Sequence, residues 1–254
     1  MRKVLLTVSY NGRAYHGYQL QDELPTVSLM LNRAAREAFG FECNVTGCSR
    51  TDAGVHALGF CATVEPKSSG DEITVPIDKV PIAMNIKLPP DIAVLSAKEV
   101  EESFHPRYDV VKKEYVYKIH ASRIKNPFYE GLALEYGREI SDEGVLKMDK
   151  AAKHFIGTHR FDAFMAQGSQ IEDTERTVFD AKVIRNGDLV EFTVSADGFL
   201  YNMVRIMVGT LLRVECGKLK PEEIPSIIES RNRENAGFTA KPDGLYLNKI
   251  FYYS

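Results

Sequence analysis

The stretch from Phe199 to Arg213 constrains the fold most, because it is apolar on nearly every side when it is read as a helix. A helix without a polar face must be covered all round, so we expect it to be buried. Arg205 falls in the middle of the stretch, where an unpaired guanidinium is very costly. It therefore needs a carboxylate, an oxyanion or a channel, unless it lies at a helix edge and extends to solvent. Asp52, from the other half of the chain, is a candidate partner.

A second dense signal is the stretch from Gly47 to Gly59, Gly-Cys-Ser-Arg-Thr-Asp-Ala-Gly-Val-His-Ala-Leu-Gly. Glycine is used where the backbone bends unusually or approaches another group closely. Arg50 and Asp52 are two residues apart, so in an extended segment their side chains point the same way. A guanidinium keeps a neighbouring carboxylate ionised and oriented, as an aspartate nucleophile requires. The alternative is a turn with a surface ion pair, which the same residue types also form.

Composition narrows the class of protein. The chain has 254 residues, 44% of them hydrophobic, which is enough for one large domain or two small ones. Its four cysteines form no Cys-x-x-Cys pair, which favours reduced thiols over a disulfide framework or a zinc site. The apolar run after Met1 stops at Ser9, too short for a secretory signal, and no stretch approaches a membrane span. We therefore expect a soluble, cytoplasmic protein.

The net charge of −3 does not indicate a nucleic-acid binder, but the distribution of charge is uneven. Between His105 and Lys125, six basic residues stand against two acidic ones, and Tyr108, Tyr115 and Tyr117 are interleaved with them. Basic side chains attract phosphates and aromatic rings stack on bases. This run therefore indicates an RNA-binding surface, although a solvated strand face with ordinary strand tyrosines has the same pattern.

Hydrophobic spacing and turn residues predict an alternation of strands and helices. The clearest predicted strands are residues 4–10, 60–64, 110–119, 176–184, 189–196 and 245–252. Thr26 and Ser141 are predicted N-caps of two helices that end at Gly40 and Gly157. Asn186-Gly187 predicts a hairpin turn between the fourth and fifth strands. A composition shift near residues 103–107 suggests a domain boundary there.

The centre of the motif, Ser-Arg-Thr-Asp-Ala-Gly-Val-His-Ala from Ser49 to Ala57, resembles the signature of the tRNA pseudouridine synthase A family. The family more often has Gly at the first of these positions. Further segments resemble the family in chain order, namely residues 15–21, 88–94, 199–205 and 239–247. The chain departs from the common pattern at Tyr18, where Trp is usual, and at Arg160, where an acidic residue is more frequent.

The resemblance implies an α+β fold, the pseudouridine synthase fold. Two similar α/β halves would share a continuous, mostly antiparallel sheet with flanking helices and a central cleft. Residues 1–106 would carry the aspartate motif, and residues 107–254 the stacking tyrosine and the arginine partner. The implied activity is isomerisation of uridine to pseudouridine at positions 38, 39 and 40 of the tRNA anticodon stem-loop, with the target base flipped out. The implied enzyme is a homodimer that binds tRNA and needs no metal or other cofactor.

The same resemblance assigns roles to the candidate catalytic residues. Asp52 is the nucleophile, and the sequence leaves open whether it attacks uracil C6, attacks ribose C1′ or assists glycal formation. Arg50 occupies the vacated stack or holds the displaced base. Arg205 holds Asp52 as an anion and orients it. Tyr115 stacks on the target base and helps to remove the C5 proton.

Three residues of the basic run, Arg107, Lys112 and Lys113, are the remaining candidates for binding the RNA. His56, inside the motif, is more simply explained as a structural histidine with satisfied ring nitrogens than as a site residue.

Other functions fit parts of this pattern. A related synthase could modify other tRNA positions or another RNA, and a non-catalytic RNA-binding module or tRNA-folding chaperone could keep the same scaffold. The presence of Arg50, Asp52, Tyr115 and Arg205 together argues against a non-catalytic module. A glycosidase is disfavoured because the motif has no second carboxylate to act as the acid/base partner.

Overall fold

A computed structural model of the chain describes residues 2–168 and 171–253. Ten strands lie in this part of the chain, and they are β1 (Lys3–Tyr10), β2 (Cys43–Gly47), β3 (His56–Pro66), β4 (Ile92–Val100), β5 (Val110–His120), β6 (Leu134–Glu135), β7 (Gly157–Arg160), β8 (Glu175–Asn186), β9 (Leu189–Ala196) and β10 (Leu245–Tyr252). The α-helices are α1 (Val27–Phe39), α2 (Val80–Asn85), α3 (Asp142–Lys153), α4 (Met203–Glu215) and α5 (Ile224–Ser230). Short 3-10 turns are Gly12–Ala14, Ile77–Lys79, Pro127–Tyr129, Asp162–Phe164, Pro221–Glu223, Arg233–Asn235 and Pro242–Gly244.

The described chain divides into two compact units. The first comprises residues 2–111 and 246–253, and the second comprises residues 112–168 and 171–245. Each unit combines strands with helices, so the predicted α+β class is confirmed. The division at residue 106 into two functional halves stays a prediction.

In the first unit, β3 pairs with three of the other strands. It pairs antiparallel with β1, where Val8 lies opposite Phe60, and β1 pairs antiparallel with β4 on its other side. β2 pairs antiparallel with the second part of β3, whereas β10 pairs in parallel with its first residues. Alternate residues of β1, from Val4 to Tyr10, are buried, so one face of this sheet forms the core.

Helix α1 begins and ends where its cap residues predict. The Thr26 side chain accepts the N–H of Leu29 over 3.3 Å, and Gly40 adopts the left-handed conformation that ends the helix, with φ +85°. Leu31 and Ala34 are buried on the face that packs into the unit. The predicted helix is confirmed at both ends.

In the second unit, β9 lies between β5 and β8 and pairs antiparallel with both. β7 pairs antiparallel with β8, and β6 pairs in parallel with the end of β5. The hairpin predicted at Asn186-Gly187 is confirmed, with Gly187 at φ +59° between β8 and β9. These strands form the layer on which α3 packs.

Helix α3 has the predicted cap but ends earlier than predicted. The Ser141 hydroxyl accepts the N–H of Gly144 over 3.0 Å. The helix ends at Lys153 rather than near Ile156, because Phe155 and Ile156 make the tighter bonds to the third preceding carbonyl that close a final turn.

Helix α4 is the buried helix predicted from its apolar sequence, but it begins at Met203 rather than Phe199. The residue before it, Asn202, has φ +59°, a left-handed conformation that asparagine tolerates and that separates the helix from the preceding turn. Arg205 is therefore the third residue of the helix, and its predicted place in the middle is wrong. Apolar residues around the rest of the helix are buried, as expected.

Within residues 2–168 and 171–253, no helix combines the length and the apolar character that a membrane crossing requires.

Candidate active site

The arginine-aspartate motif forms the loop between β2 and β3. Cys48 donates its backbone N–H to the carbonyl of Cys61 over 2.9 Å, so strand-like pairing continues past the end of β2. Val55 donates its N–H to the carbonyl of Asp52 over 3.2 Å and closes a turn in which Gly54 has φ +79°. Asp52 thus begins a tight turn in a loop whose two ends are tied to the sheet.

Thr51, between Arg50 and Asp52, is the residue that fixes this loop to the core. It is 7% exposed, its hydroxyl lies 2.9 Å from the hydroxyl of Tyr10, and its carbonyl accepts the N–H of Tyr18 over 3.2 Å. Because Thr51 is turned inward, its two neighbours lie on the outer side, Arg50 exposed and Asp52 half-buried. The arrangement presents a guanidinium and a carboxylate from one anchored stretch of backbone.

Two glycines after β1 allow the chain to pack its backbone directly against the motif loop. Gly17 has φ +84°, and a Cβ there would lie 2.3 Å from the carbonyl oxygen of Thr51. A Cβ on Gly12 would lie 1.9 Å from the carbonyl oxygen of Val55. Neither position accommodates a larger residue without moving the loop.

The tyrosines that follow β1 are part of this support and are buried. Tyr15 donates its hydroxyl hydrogen to Oδ1 of Asp91 over 2.6 Å, and its carbonyl accepts the N–H of Gly54 over 3.2 Å. Tyr18 stacks on Phe60 with ring centroids 4.4 Å apart. Burial raises the pKa of both tyrosine hydroxyls, and Asp91 raises that of Tyr15 further, so both rings stay neutral at physiological pH.

His56, at the start of β3, has the structural role that the sequence favours. It is 1% exposed, and its Nδ1 accepts the N–H of Gly12 over 3.1 Å. Its ring stacks on that of Tyr246, with centroids 4.6 Å apart. An Nδ1 that accepts a hydrogen bond carries no proton, so the contacts favour the neutral imidazole.

The three basic residues predicted to bind RNA lie around the start of β5. Arg107 precedes the strand, and Lys112 and Lys113 are among its first four residues. Arg107 is half-buried, and its charge acts on the hydroxyl of Tyr18, whose pKa it lowers against the larger effect of burial. It therefore lies close to the residues that support the motif loop. Lys112 and Lys113 are partly exposed on β5 and, being consecutive, point to opposite faces of the strand.

Tyr115 lies on β5 opposite Val194 of β9. It is 7% exposed and meets the ring of Phe199 edge-on, with centroids 5.0 Å apart. Tyr117, two residues further along the same face, is fully buried and donates its hydroxyl hydrogen to the carbonyl of Lys241 over 2.7 Å. Tyr117 is therefore a core residue, and Tyr115 is the candidate for contact with a base.

Arg205 is held in a fixed direction at the start of α4. Its Nε donates to the carbonyl of Ala240 over 2.7 Å and its Nη1 donates to Oδ1 of Asn202 over 2.6 Å. The backbone adds a third bond, from the N–H of Ala240 to the carbonyl of Arg205 over 3.1 Å. A guanidinium and a helix N-terminus both favour negative charge, so this end of α4 suits an anion.

Direct backbone contact sets the position of α4 against the segment before β10. A Cβ on Gly209 would lie 1.8 Å from the carbonyl oxygen of Phe238, and a Cβ on Gly237 would lie 2.2 Å from the backbone of Gly209. The N–H of Gly237 donates to the hydroxyl of Thr210 over 2.8 Å. This close crossing keeps the partners of Arg205 at hydrogen-bonding distance.

The thiols near the motif are poor nucleophiles. Burial raises the pKa of Cys43 and of Cys61 to about 11, so both stay protonated near neutral pH. Nowhere in residues 2–168 or 171–253 do three His, Cys, Asp or Glu side chains come close enough together to hold a metal ion.

Known proteins match this chain from end to end. A family model described as tRNA pseudouridine synthase matches residues 151–253. The tRNA pseudouridine synthase A of Thermoanaerobacter sp. (strain X514) is 43% identical over 252 residues, which are 99% of this chain and 100% of that protein. The chain belongs to the tRNA pseudouridine synthase A family.

Two further members of the tRNA pseudouridine synthase A family show the same full-length match. The protein of Acetivibrio thermocellus is 40% identical over 252 residues, covering 99% of this chain and 100% of its own. The tRNA pseudouridine synthase A 2 of Clostridium tetani is 41% identical over 254 residues, covering 99% of each chain. The predicted enzyme class, an isomerase, is confirmed by this membership.

In this member of the tRNA pseudouridine synthase A family, the charged site residues stand out in the sequence, whereas the residues that hold them do not. Thr51 was recognisable, because the residue between two outward side chains points inward. Asn202 and Ala240 were not recognisable, because their bonds to Arg205 depend on where α4 begins and on a contact across 35 residues.

Proposed function

We propose that this chain isomerises uridine to pseudouridine at positions 38, 39 and 40 of the tRNA anticodon stem-loop, with Asp52 as the nucleophile. The observation that carries the proposal is the anchored loop of Arg50, Thr51 and Asp52. Its central residue is buried and hydrogen-bonded, and the carboxylate beside it is half-buried on the outer side. A catalytic nucleophile needs this combination of fixed backbone and access to substrate.

The reaction balances without a co-reactant. The N1–C1′ bond of uridine breaks, the uracil turns, and a C5–C1′ bond forms, while C5 loses a proton and N1 gains one. No electron acceptor, group donor or metal enters this balance. Asp52 forms a transient bond to uracil C6 or ribose C1′, or assists glycal formation, and each route uses an ionised carboxylate held in one place.

A uridine inside a folded arm must leave its stack to reach Asp52. We assign Arg50 to the vacated position or to the displaced base, since it is exposed and two residues from the carboxylate. Tyr115 stacks on the extruded uracil and helps to remove the C5 proton. Its edge-on contact with Phe199 supports this role, because it fixes the plane of the Tyr115 ring before substrate arrives.

Arg205 is proposed to hold Asp52 as an anion and to orient it. The support is its fixed geometry, since the bonds to Asn202 and Ala240 direct the guanidinium before substrate arrives. A preorganised charge of this kind costs little reorganisation during the reaction.

The wider proposal follows the family resemblance. Two similar halves share the sheet around a central cleft, and Arg107, Lys112 and Lys113 contribute to its basic lining. The chain acts in the cytoplasm as a homodimer that grips the tRNA anticodon arm. Because its net charge is −3, binding depends on locally concentrated basic residues and falls steeply with salt.

Mapping of the product tests this function. The purified chain is incubated with an unmodified tRNA transcript that has uridine at positions 38, 39 and 40, and pseudouridine is located by carbodiimide labelling and primer extension. A matched transcript with cytidine at the three positions is the control. We expect modification at these positions in the first transcript and none in the second. Pseudouridine at other positions, or none in either transcript, would contradict the proposal.

A further inference from the structure

Tyr108 differs from the other tyrosines of the basic run because its ring is exposed. It is 76% exposed, whereas Tyr115 and Tyr117 are buried in the sheet. One face of the Tyr108 ring lies on the imidazole of His105, with centroids 4.2 Å apart and planes 29° from parallel. The opposite face of the Tyr108 ring is therefore presented to solvent, and the His105 ring supports it from behind.

The loop that carries this pair is held by its own hydrogen bonds. Nδ1 of His105 accepts the N–H groups of Arg107, over 3.1 Å, and of Tyr108, over 3.4 Å. The N–H of His105 donates to Oδ2 of Asp109 over 2.8 Å, and the N–H of Asp109 donates to the carbonyl of His105 over 3.1 Å. These bonds hold the imidazole of His105 in one orientation, so the exposed ring of Tyr108 stacks on a fixed neighbour.

The same loop is anchored beside the residues that support the motif. Tyr252 donates its hydroxyl hydrogen to the carbonyl of Pro106 over 2.8 Å, and its ring meets Phe104 edge-on at 5.0 Å. Burial raises the pKa of the Tyr252 hydroxyl. The thiol of Cys48, the first residue of the motif loop, lies near enough to raise that pKa further. The exposed ring and the Asp52 loop therefore belong to one packed part of the first unit.

We propose that the stacked pair of His105 and Tyr108 is a binding site for an unpaired base of the RNA substrate, separate from the base that reaches Asp52. The inference rests on the proposed function as a tRNA-modifying enzyme. A bare aromatic face on a fixed loop binds bases by stacking without reading their identity, and Arg107 supplies a charge for the adjoining phosphate. Unpaired bases of an anticodon loop have the exposed faces that such a platform requires.

Binding of a fluorescein-labelled anticodon stem-loop RNA, measured by anisotropy, tests the platform. We expect Tyr108→Ala to weaken binding about ten-fold, because one stacked base is lost, and Tyr108→Phe to restore the wild-type affinity. Tyr253→Ala is the matched control, since this tyrosine of the same unit is 85% exposed, and its affinity should stay within about two-fold of wild type. Thermal melting confirms that all variants fold.

Salt dependence separates stacking from charge. Tyr108→Ala should keep the slope of log affinity against log salt, because stacking releases no counterions, whereas Lys112→Ala should lower that slope by about one. Wild-type affinity for RNA with Tyr108→Ala, or an equal loss with Tyr253→Ala, would overturn the platform. A change of oligomeric state with Tyr108→Ala would also overturn it, because the ring would then belong to a protein contact. If the wild type binds the stem-loop but forms no pseudouridine in it, the proposed function fails while the affinities still decide the platform.

Discussion

The surroundings of Asp52 and Arg205, the two charged residues at the centre of the proposal, share close backbone crossings, at Gly12 and Gly17 in the first unit and at Gly209 in the second. The Asp52 loop has a buried side-chain hydrogen bond as well. That bond joins the hydroxyls of Thr51 and Tyr10 and can be removed without a change at the crossings. Arg205 lies on a helix whose position is set by the close backbone crossing at Gly209. A single hydrogen bond contributes about 1 kcal/mol, whereas overpacking a close crossing costs about 3 kcal/mol. Loss of the Thr51 hydrogen bond should therefore reduce stability less than a side chain added at the Gly209 crossing.

The largest effect on stability is expected from Gly209→Ala. The added Cβ would lie 1.8 Å from the carbonyl oxygen of Phe238, so the helix or the facing segment has to move. We expect a loss of about 3 kcal/mol in the free energy of unfolding, even though alanine is the better helix former. Urea denaturation measures it, and Gly70→Ala, whose Cβ would meet nothing within 4 Å, is the control. Equal stability of the two variants would contradict the tight crossing.

Arg205→Met should reduce activity rather than stability. Expressed as a free energy, the expected loss is almost as large as that of Gly209→Ala. We expect kcat/KM for tRNA to fall about a hundred-fold, equivalent to about 2.7 kcal/mol, with little change in KM. Arg213→Met is the matched control, because this arginine of the same helix also donates to a backbone carbonyl, that of Ala236 over 3.1 Å. It should lose stability without a comparable loss of kcat. Equal kinetic losses in the two variants would show that Arg205 is only structural.

Thr51→Val tests the hydrogen bond that ties the Asp52 loop to Tyr10. The substitution keeps the shape of the side chain and removes the hydroxyl that lies 2.9 Å from Tyr10. We expect about 1 kcal/mol of lost stability and about a five-fold lower kcat at unchanged KM. Thr51→Ser retains the hydroxyl and should behave like wild type in a stopped-time pseudouridine assay. A kcat of Thr51→Val equal to that of wild type would show that the hydrogen bond between Thr51 and Tyr10 does not position Asp52.

The smallest effect is expected at Arg160, where the chain departs from the common family pattern. Its guanidinium pairs with Asp162 over 3.1 Å on the surface, and exposed ion pairs of this kind contribute little. Arg160→Ala should leave kcat/KM within about two-fold of wild type. A ten-fold or greater loss of tRNA affinity would instead assign this residue to the RNA-binding surface.

These two units also show where sequence carries structural information. Cap and turn residues act over a few positions, so Thr26, Ser141 and Asn186-Gly187 marked their elements correctly. The start of α4 was misplaced because a left-handed Asn202 interrupts an apolar run that looks continuous in sequence. Local composition could not reveal this break.

The candidate site shows the same contrast. The charges of Arg50 and Asp52 stand out in the sequence, and so does Arg205. The supports do not, because Tyr15 and Tyr18 lie in a stretch that looks like a polar loop and are buried only through contact with residues far along the chain. Residues that contact each other across the fold have no common local pattern.

Release of tritium from tRNA labelled at C5 of uridine, measured for Asp52→Asn with binding measured in parallel, tests the central claim most directly. The amide keeps the size of the side chain and removes its charge and nucleophilicity. We expect a release rate at least about a thousand-fold below wild type, with tRNA affinity within about two-fold of wild type. Release near the wild-type rate would show that the carboxylate of Asp52 does not carry the reaction.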